Sequence, residues 1–266
     1  MTSEDRDPTS VAEPDEPVSR SSSVEEQTTP AKKKHLPVWQ ETILLLAIAL
    51  VLAIVIKALF VQAFYIPSQS MEPGLVKNDR ILVQKVSYWF GGSPQRGDVV
   101  VFKDPGGWLN EAESAGPTGG VATLLSRIGL YPSGGHLVKR VIGVEGDTIV
   151  CCDKQGRIEV NGVPLNEEDY ARPDRKGCYG PMPEGGKCDW SVGPVPDGHV
   201  FVMGDNRNNS ADSTVHMCDG KLEDCAESPY VDVDDVVGKV FVLLWPSDRF
   251  GFLHRPDTFA DVPDAS

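Results

Sequence analysis

The chain has 266 residues, a formal net charge of -14 and a pI near 4.7. That length suits one or two domains, and 40% hydrophobic residues suffice for a core. The acidity argues against a nucleic-acid ligand, whose phosphates call for a basic surface.

Residues 1–31 hold eight acids, two arginines and almost no core formers, a net charge of -6. Such a segment cannot bury enough surface to offset its ordering entropy. With the basic flank "KKKH" at Lys32–His35, residues 1–38 are expected to form a disordered acidic tail.

The next stretch, "ILLLAIALVLAIVIKALFVQAFYI", runs from Ile43 to Ile66 with one charge, Lys57. A bilayer core needs roughly 20 apolar residues as a helix. Residues 39–66 are therefore expected to form a single transmembrane anchor helix, with Lys57 close enough to the far end to snorkel. The positive-inside bias assigns the tail to the cytoplasm and everything after Ile66 to the outside of the cell membrane. A cleaved signal peptide is the alternative, with "VQA" at Val61–Ala63 as its cutting site. Against it stand the long tail before the run and the run's length, since a signal h-region spans roughly 7–15 residues.

All six cysteines follow the span, where disulfides persist. Cys178–Cys188 and Cys218–Cys225 are the candidate pairs, each closing a short loop; Cys151 and Cys152 complete the set. The C-x₂-C spacings of a zinc site are missing, and no metal is expected.

Residues 67–255 read as a mainly β, barrel-like domain outside the membrane. Its strands are expected in 80–86, 98–103, 136–144, 147–152, 157–165, 199–205 and 236–246, with Asn161-Gly162 as a hairpin turn. "VATLLSRIGL" at Val121–Leu130 is the one short helix candidate. Gly/Pro-rich insertions are expected near 104–135 and 169–196. Surface loops are the plain reading of both, with bilayer contact through Trp108 and its apolar neighbours as the alternative for the first. Residues 256–266 are expected to form a C-terminal tail.

Four stretches bear on chemistry: "PSQSMEPGL" at Pro67–Leu75, "RGDVVVF" at Arg96–Phe102, "VKRVIGVEGD" at Val138–Asp147 and "GDNRNNSADS" at Gly204–Ser213. Singly, each reads as a turn or a strand. G-x-S-x-G, S-x-x-K and H-E-x-x-H are absent. His136, His199, His216 and His254 follow the span, and no known signature surrounds them. A serine nucleophile can instead use a lysine base, provided that the amine is neutral. Apolar surroundings favour the neutral form. Lys139 lies in a Val/Ile-rich strand, on a face read as carrying Val141 and Gly143.

In order, after an N-terminal anchor, these stretches resemble bacterial type I signal peptidase over roughly residues 40 to 250. The resemblance implies a β-barrel-like serine endopeptidase at the membrane surface, free of cofactors. Its substrates would be the signal peptides of secreted preproteins, and its neighbours the bilayer and, as a further candidate, the secretion translocon. It implies Ser70 as nucleophile and Lys139 as general base. Ser68 and the Ser70 amide would form the oxyanion hole, and Ser210 would orient the lysine. Asp205, acting through Arg140, and Asp212 would be supporting acids. In much of the family an arginine two residues after that second acid pairs with it; here the position is Thr214, and Arg207 is the candidate replacement. Phe64, Ile66, Leu75, Leu137 and Val138 flank the site as candidate lining for shallow apolar pockets, with ordinary core as the alternative.

Overall fold

The computed structural model describes residues 37–89, 91–109, 119–122, 134–173, 189–217 and 228–265. Two units divide the chain, residues 1–45 and 46–266. The described part of the first is the start of helix α1 (Val38–Phe60). Leu, Ile, Ala and Val surround this helix on every side, and no Gly or Pro interrupts it. A helix apolar all round belongs in a core or a bilayer. Of its described side chains all but Gln40 are exposed, Leu46 by 69% and Leu50 by 61%. Val38–Val55 is long and apolar enough to cross a membrane.

The expected anchor over 39–66 is too long at its far end. The helix stops at Phe60, and Val61–Tyr65 is strand β1. β1 pairs antiparallel with β2 (Arg80–Gln84), which satisfies its backbone as a helix would. Apolarity alone could not separate the two: Phe64 turns inward to the protein, at 6% exposure, instead of outward to lipid.

Ten further strands are present among the described residues of the second unit. They are β3 (Val99–Lys103), β4 (His136–Val144), β5 (Ile149–Cys151), β6 (Ile158–Val160), β7 (Val163–Pro164) and β8 (Trp190–Val192). After them come β9 (His199–Met203), β10 (Val231–Asp232), β11 (Val236–Trp245) and β12 (Gly251–Phe252). The larger sheet has the order β1-β2-β11-β3-β4-β9-β10, with β12 on β11. The smaller has the order β7-β6-β5-β8. The fold is mainly β, as expected.

Both faces of the large sheet are covered. Phe64, Ile81, Val83, Val99 and Val101 pack on one, and Val100, Phe102, Leu137, Val141 and Val202 on the other. Burial on both faces explains the unbroken apolar run Val99–Phe102, which a half-exposed strand would alternate with polar residues. A third cluster, built on Ile149, Ile158, Trp190 and Phe201, underlies the small sheet.

Several details depart from the sequence reading. Within the 169–196 insertion, Trp190–Val192 is β8, paired with β5. The C-terminal tail is docked: Phe259 and Val262 belong to the third cluster, and Asn161 Nδ2 donates to Pro263 O at 3.0 Å. Cys151 and Cys152 are bonded to each other, a pairing the sequence did not suggest. Cys178, Cys188, Cys218 and Cys225 lie outside the described residues, as do the acidic tail and most of the short helix candidate, of which Val121 and Ala122 are helical.

Candidate active site

The β1–β2 connection carries the two serines. Its base is closed by Asn78 N–H on Ile66 O and Ile66 N–H on Asp79 O, both 2.9 Å. Within it, Met71 and Leu75 are buried and Leu75 N–H donates to Met71 O. These apolar pins fix a segment that composition alone reads as a plain turn. Ser68 is exposed, Ser70 is 8% exposed, and their hydroxyl oxygens are 3.2 Å apart.

Lys139 lies on β4, directly opposite Val100 of β3, and is 4% exposed. Alternation puts it on the face of Leu137 and Val141, which share an apolar cluster with Val100. The sequence reading had Val141 right and Gly143 wrong. A register shift against β9 falls between those two residues and breaks the alternation, so Leu137 is the second neighbour.

Gly204 follows β9. Arg140 pairs with Met203, so the same antiparallel register continued by one residue sets Lys139 opposite Gly204. A Cβ on Gly204 would stand 2.3 Å from Ser210 Oγ and 2.5 Å from Ser70 O. The missing side chain is what allows the Ser70 backbone and the Ser210 side chain to approach this turn. Asn206 completes the junction: its N–H donates to Ser70 O at 2.9 Å and its Nδ2 to Gln69 O at 3.1 Å.

Around this junction the charges are buried and paired. Arg140 donates to Asp205 through Nε and Nη2 at 2.8 and 2.7 Å, and through Nη1 to Gly97 O. Burial acts to lower the Arg140 pKa, and the Asp205 carboxylate more than offsets it, leaving the value raised. Asp212, fully buried, accepts from Ser210 Oγ at 2.6 Å, Gly204 N–H at 2.8 Å, Thr214 Oγ1 at 2.7 Å and Thr214 N–H at 3.1 Å. The expected Arg207 partner is a misreading. Thr214 itself supplies two of the donors, and Arg207 forms a two-pronged pair with Glu167 at 2.9 and 2.8 Å. Burial opposes the Arg207 charge, Glu167 favours it, and the pKa ends above the ordinary arginine value.

Phe64, Ile66, Leu75 and Val138 share one cluster, and Leu137 lies in the other, beside Lys139. The histidines have separate settings. His136 Nδ1 is 2.9 Å from Gly134 O and its ring faces Phe64; His199 Nδ1 is 2.8 Å from Asp197 O; His216 stacks on Trp108. A cavity of about 700 Å³ opens elsewhere, between Arg96, Glu145, His199 and Phe259. Glu167 and Tyr170 escaped sequence reading because an acid and a tyrosine at the edge of an insertion carry no spacing signature.

The family described as signal peptidase, peptidase S26, matches residues 39–245. A signal peptidase I of Mycobacterium tuberculosis is 38% identical over 243 residues, covering 85% of this chain and 78% of the relative. That of Leptolyngbya laminosa is 33% identical over 255 residues, covering 91% and 99%. A crystal structure of a signal peptidase I from Enterococcus faecalis is similar with a TM-score of 0.32 and 21% identity, over 55% of this chain and 95% of that one. With the family match spanning more than half its length, the chain belongs to the signal peptidase family, peptidase S26.

Proposed function

We propose that this membrane-anchored serine endopeptidase removes N-terminal signal peptides from secreted preproteins at the outer face of the cytoplasmic membrane, with Ser70 as nucleophile and Lys139 as base. Family membership supports the activity. The observation that carries the residue assignment is the junction at Gly204, where Ser70 O, Ser210 Oγ and the register position of Lys139 converge.

Ser70 Oγ attacks the scissile carbonyl, and the Lys139 amine takes its proton. The resulting ammonium gives that proton to the leaving amine. Water, activated by the same lysine, then hydrolyses the acyl-enzyme. Only a neutral amine accepts a proton, and burial among apolar side chains favours that form. Ser210 donates its own proton to Asp212, so its oxygen is left to accept from the lysine. The Ser70 amide and the Ser68 hydroxyl hold the oxyanion.

Kinetics on a synthetic signal peptide test the assignment. Ser70→Ala and Lys139→Ala are expected to abolish turnover in folded protein. Lys139→Arg should not restore it, because a guanidinium stays protonated. Ser68→Ala should retain activity reduced by about 10²–10³. Full activity in Lys139→Ala, with collapse on replacing any one of His136, His199, His216 or His254, would sink the lysine assignment.

A further inference from the structure

Glu167 and Tyr170 lie outside the four motif stretches, yet they carry a buried polar network into the site. Glu167 is 1% exposed and accepts from both Arg207 Nη atoms and from the Tyr170 hydroxyl at 2.7 Å. The Tyr170 ring lies 4.3 Å from the Arg140 guanidinium carbon, a stacking contact. Arg140 in turn holds Asp205, and Arg207 Nε donates to Gly204 O at 2.8 Å. Backbone bonds add to this grip: Arg172 N–H on Asp205 O and Arg207 N–H on Arg172 O. The segment 167–172 therefore holds the Gly204–Arg207 turn at both ends. That turn presents Asn206 to the carbonyls of Gln69 and Ser70.

A buried ion pair is a weak source of stability compared with apolar residues of similar size. Its geometric contribution is larger, since a two-pronged guanidinium–carboxylate pair fixes both partners in angle as well as distance. We infer that Glu167 and Tyr170 are positioning residues for the reaction: they lock Arg207 and Arg140, and through the turn these hold, they set the backbone of Ser70. The inference rests on the Ser70–Lys139 reading. Neither residue is among those flanking the candidate substrate pockets, so their effect falls on kcat and leaves KM alone.

The test uses the full chain in detergent with a synthetic signal peptide. Tyr170→Phe keeps the ring over Arg140 and removes only the hydroxyl; it is expected to lower kcat about tenfold, by loosening the placement of the nucleophile, with KM within twofold. Glu167→Gln should lower kcat further, with the risk that a stranded Arg207 unfolds the domain. The paired variant Glu167→Leu with Arg207→Met removes both charges and keeps the volume, so thermal stability should return to near wild type while kcat stays low. Ile158→Val, in the core beneath the small sheet, serves as control: it should lower Tm and spare kcat. Wild-type kcat in Tyr170→Phe and in the paired variant would overturn the inference, as would a fall in kcat in the Ile158→Val control matching theirs. Ser70→Ala is a separate arm. Turnover surviving there would overturn the dyad, whereas inactive Ser70→Ala beside fully active network variants would overturn the positioning role alone.

Discussion

Asp212 shows how a buried carboxylate can be held by neutral donors. Four neutral donors surround it: two from Thr214, one from Gly204 and one from Ser210. Thr214 thus does at short range what a long basic side chain would do across a gap, and it does so from two residues away, a local side-chain-to-backbone pattern that suits a turn. Thr214→Val keeps the shape and deletes one donor to a fully buried oxygen. It should cost about 1–3 kcal/mol, measured as a fall in denaturant midpoint, because the carboxylate is left short of a partner. Activity should fall as well, since Asp212 also fixes Ser210. Two tyrosines make a further prediction. Burial first, then Asp98, raises the Tyr88 pKa; burial, then Glu167, raises that of Tyr170. Both phenols are therefore held neutral in the folded chain beyond the pH at which they ionise when unfolded. Their contribution is complete below about pH 10 and is lost as pH rises past it, because the unfolded chain then gives up protons that the fold retains. Alkaline unfolding followed by circular dichroism should show this decline, and Tyr170→Phe should flatten it.

At the scale of elements, the proposed site lies where three pieces of chain come together: the β1–β2 connection, strand β4, whose register sets Lys139 opposite Gly204, and the turn after β9. Gly204 is the crossing point, with no space for a methyl group against Ser70 O, which is backbone and cannot swing aside. Gly204→Ala should force the two segments apart. A misplacement near 1 Å costs on the order of 10² in rate, so kcat is the quantity to follow, with circular dichroism confirming the fold. This crossing explains what was legible in the sequence. The serines, the lysine and the polar turn were legible only together, by their order after the apolar run, since singly each reads as a turn or a strand; the apolar strands were legible by Val and Ile. The end of α1 did not, because Val61–Tyr65 is equally suited to lipid or to a sheet until its pairing with β2 is known. The Arg207 partner did not either: from sequence Asp212 and Glu167 are both acids at plausible distance, and only the fold brings Glu167 onto the arginine. The Cys151–Cys152 bond was missed because adjacent cysteines carry no loop to close.

For the whole molecule, the same apolar run serves two purposes. Its first part is a helix with exposed apolar side chains, and Val61–Tyr65 near its end form the first strand of the larger sheet. The proposed nucleophile therefore follows the helix end by ten residues, from Phe60 to Ser70. An extended chain covers roughly 3.3 Å per residue, so the connection sets an upper bound of about 33 Å on the distance from the helix end to Ser70, and the return of the chain from β1 to β2 keeps the actual span shorter. A signal peptide held in the bilayer presents its cutting site near the level at which the helix ends, and restricting both partners to one plane removes much of the search. This reasoning requires the basic flank Lys32–Lys34 inside and the β domain outside. Protease added to cells stripped of their wall should digest the β domain and leave the acidic tail intact; protection of the domain would refute the orientation. Lengthening the tether offers a finer test. A flexible Gly-Ser insert of six residues between Phe60 and Val61 adds a typical reach of about 13 Å between the helix and the β domain. Cleavage of preproteins embedded in vesicles should then slow, while cleavage of a short soluble peptide should proceed at the wild-type rate. Equal slowing of both substrates would mean that the insert damaged the sheet through β1, and equal rates would mean that depth in the membrane has no part in catalysis.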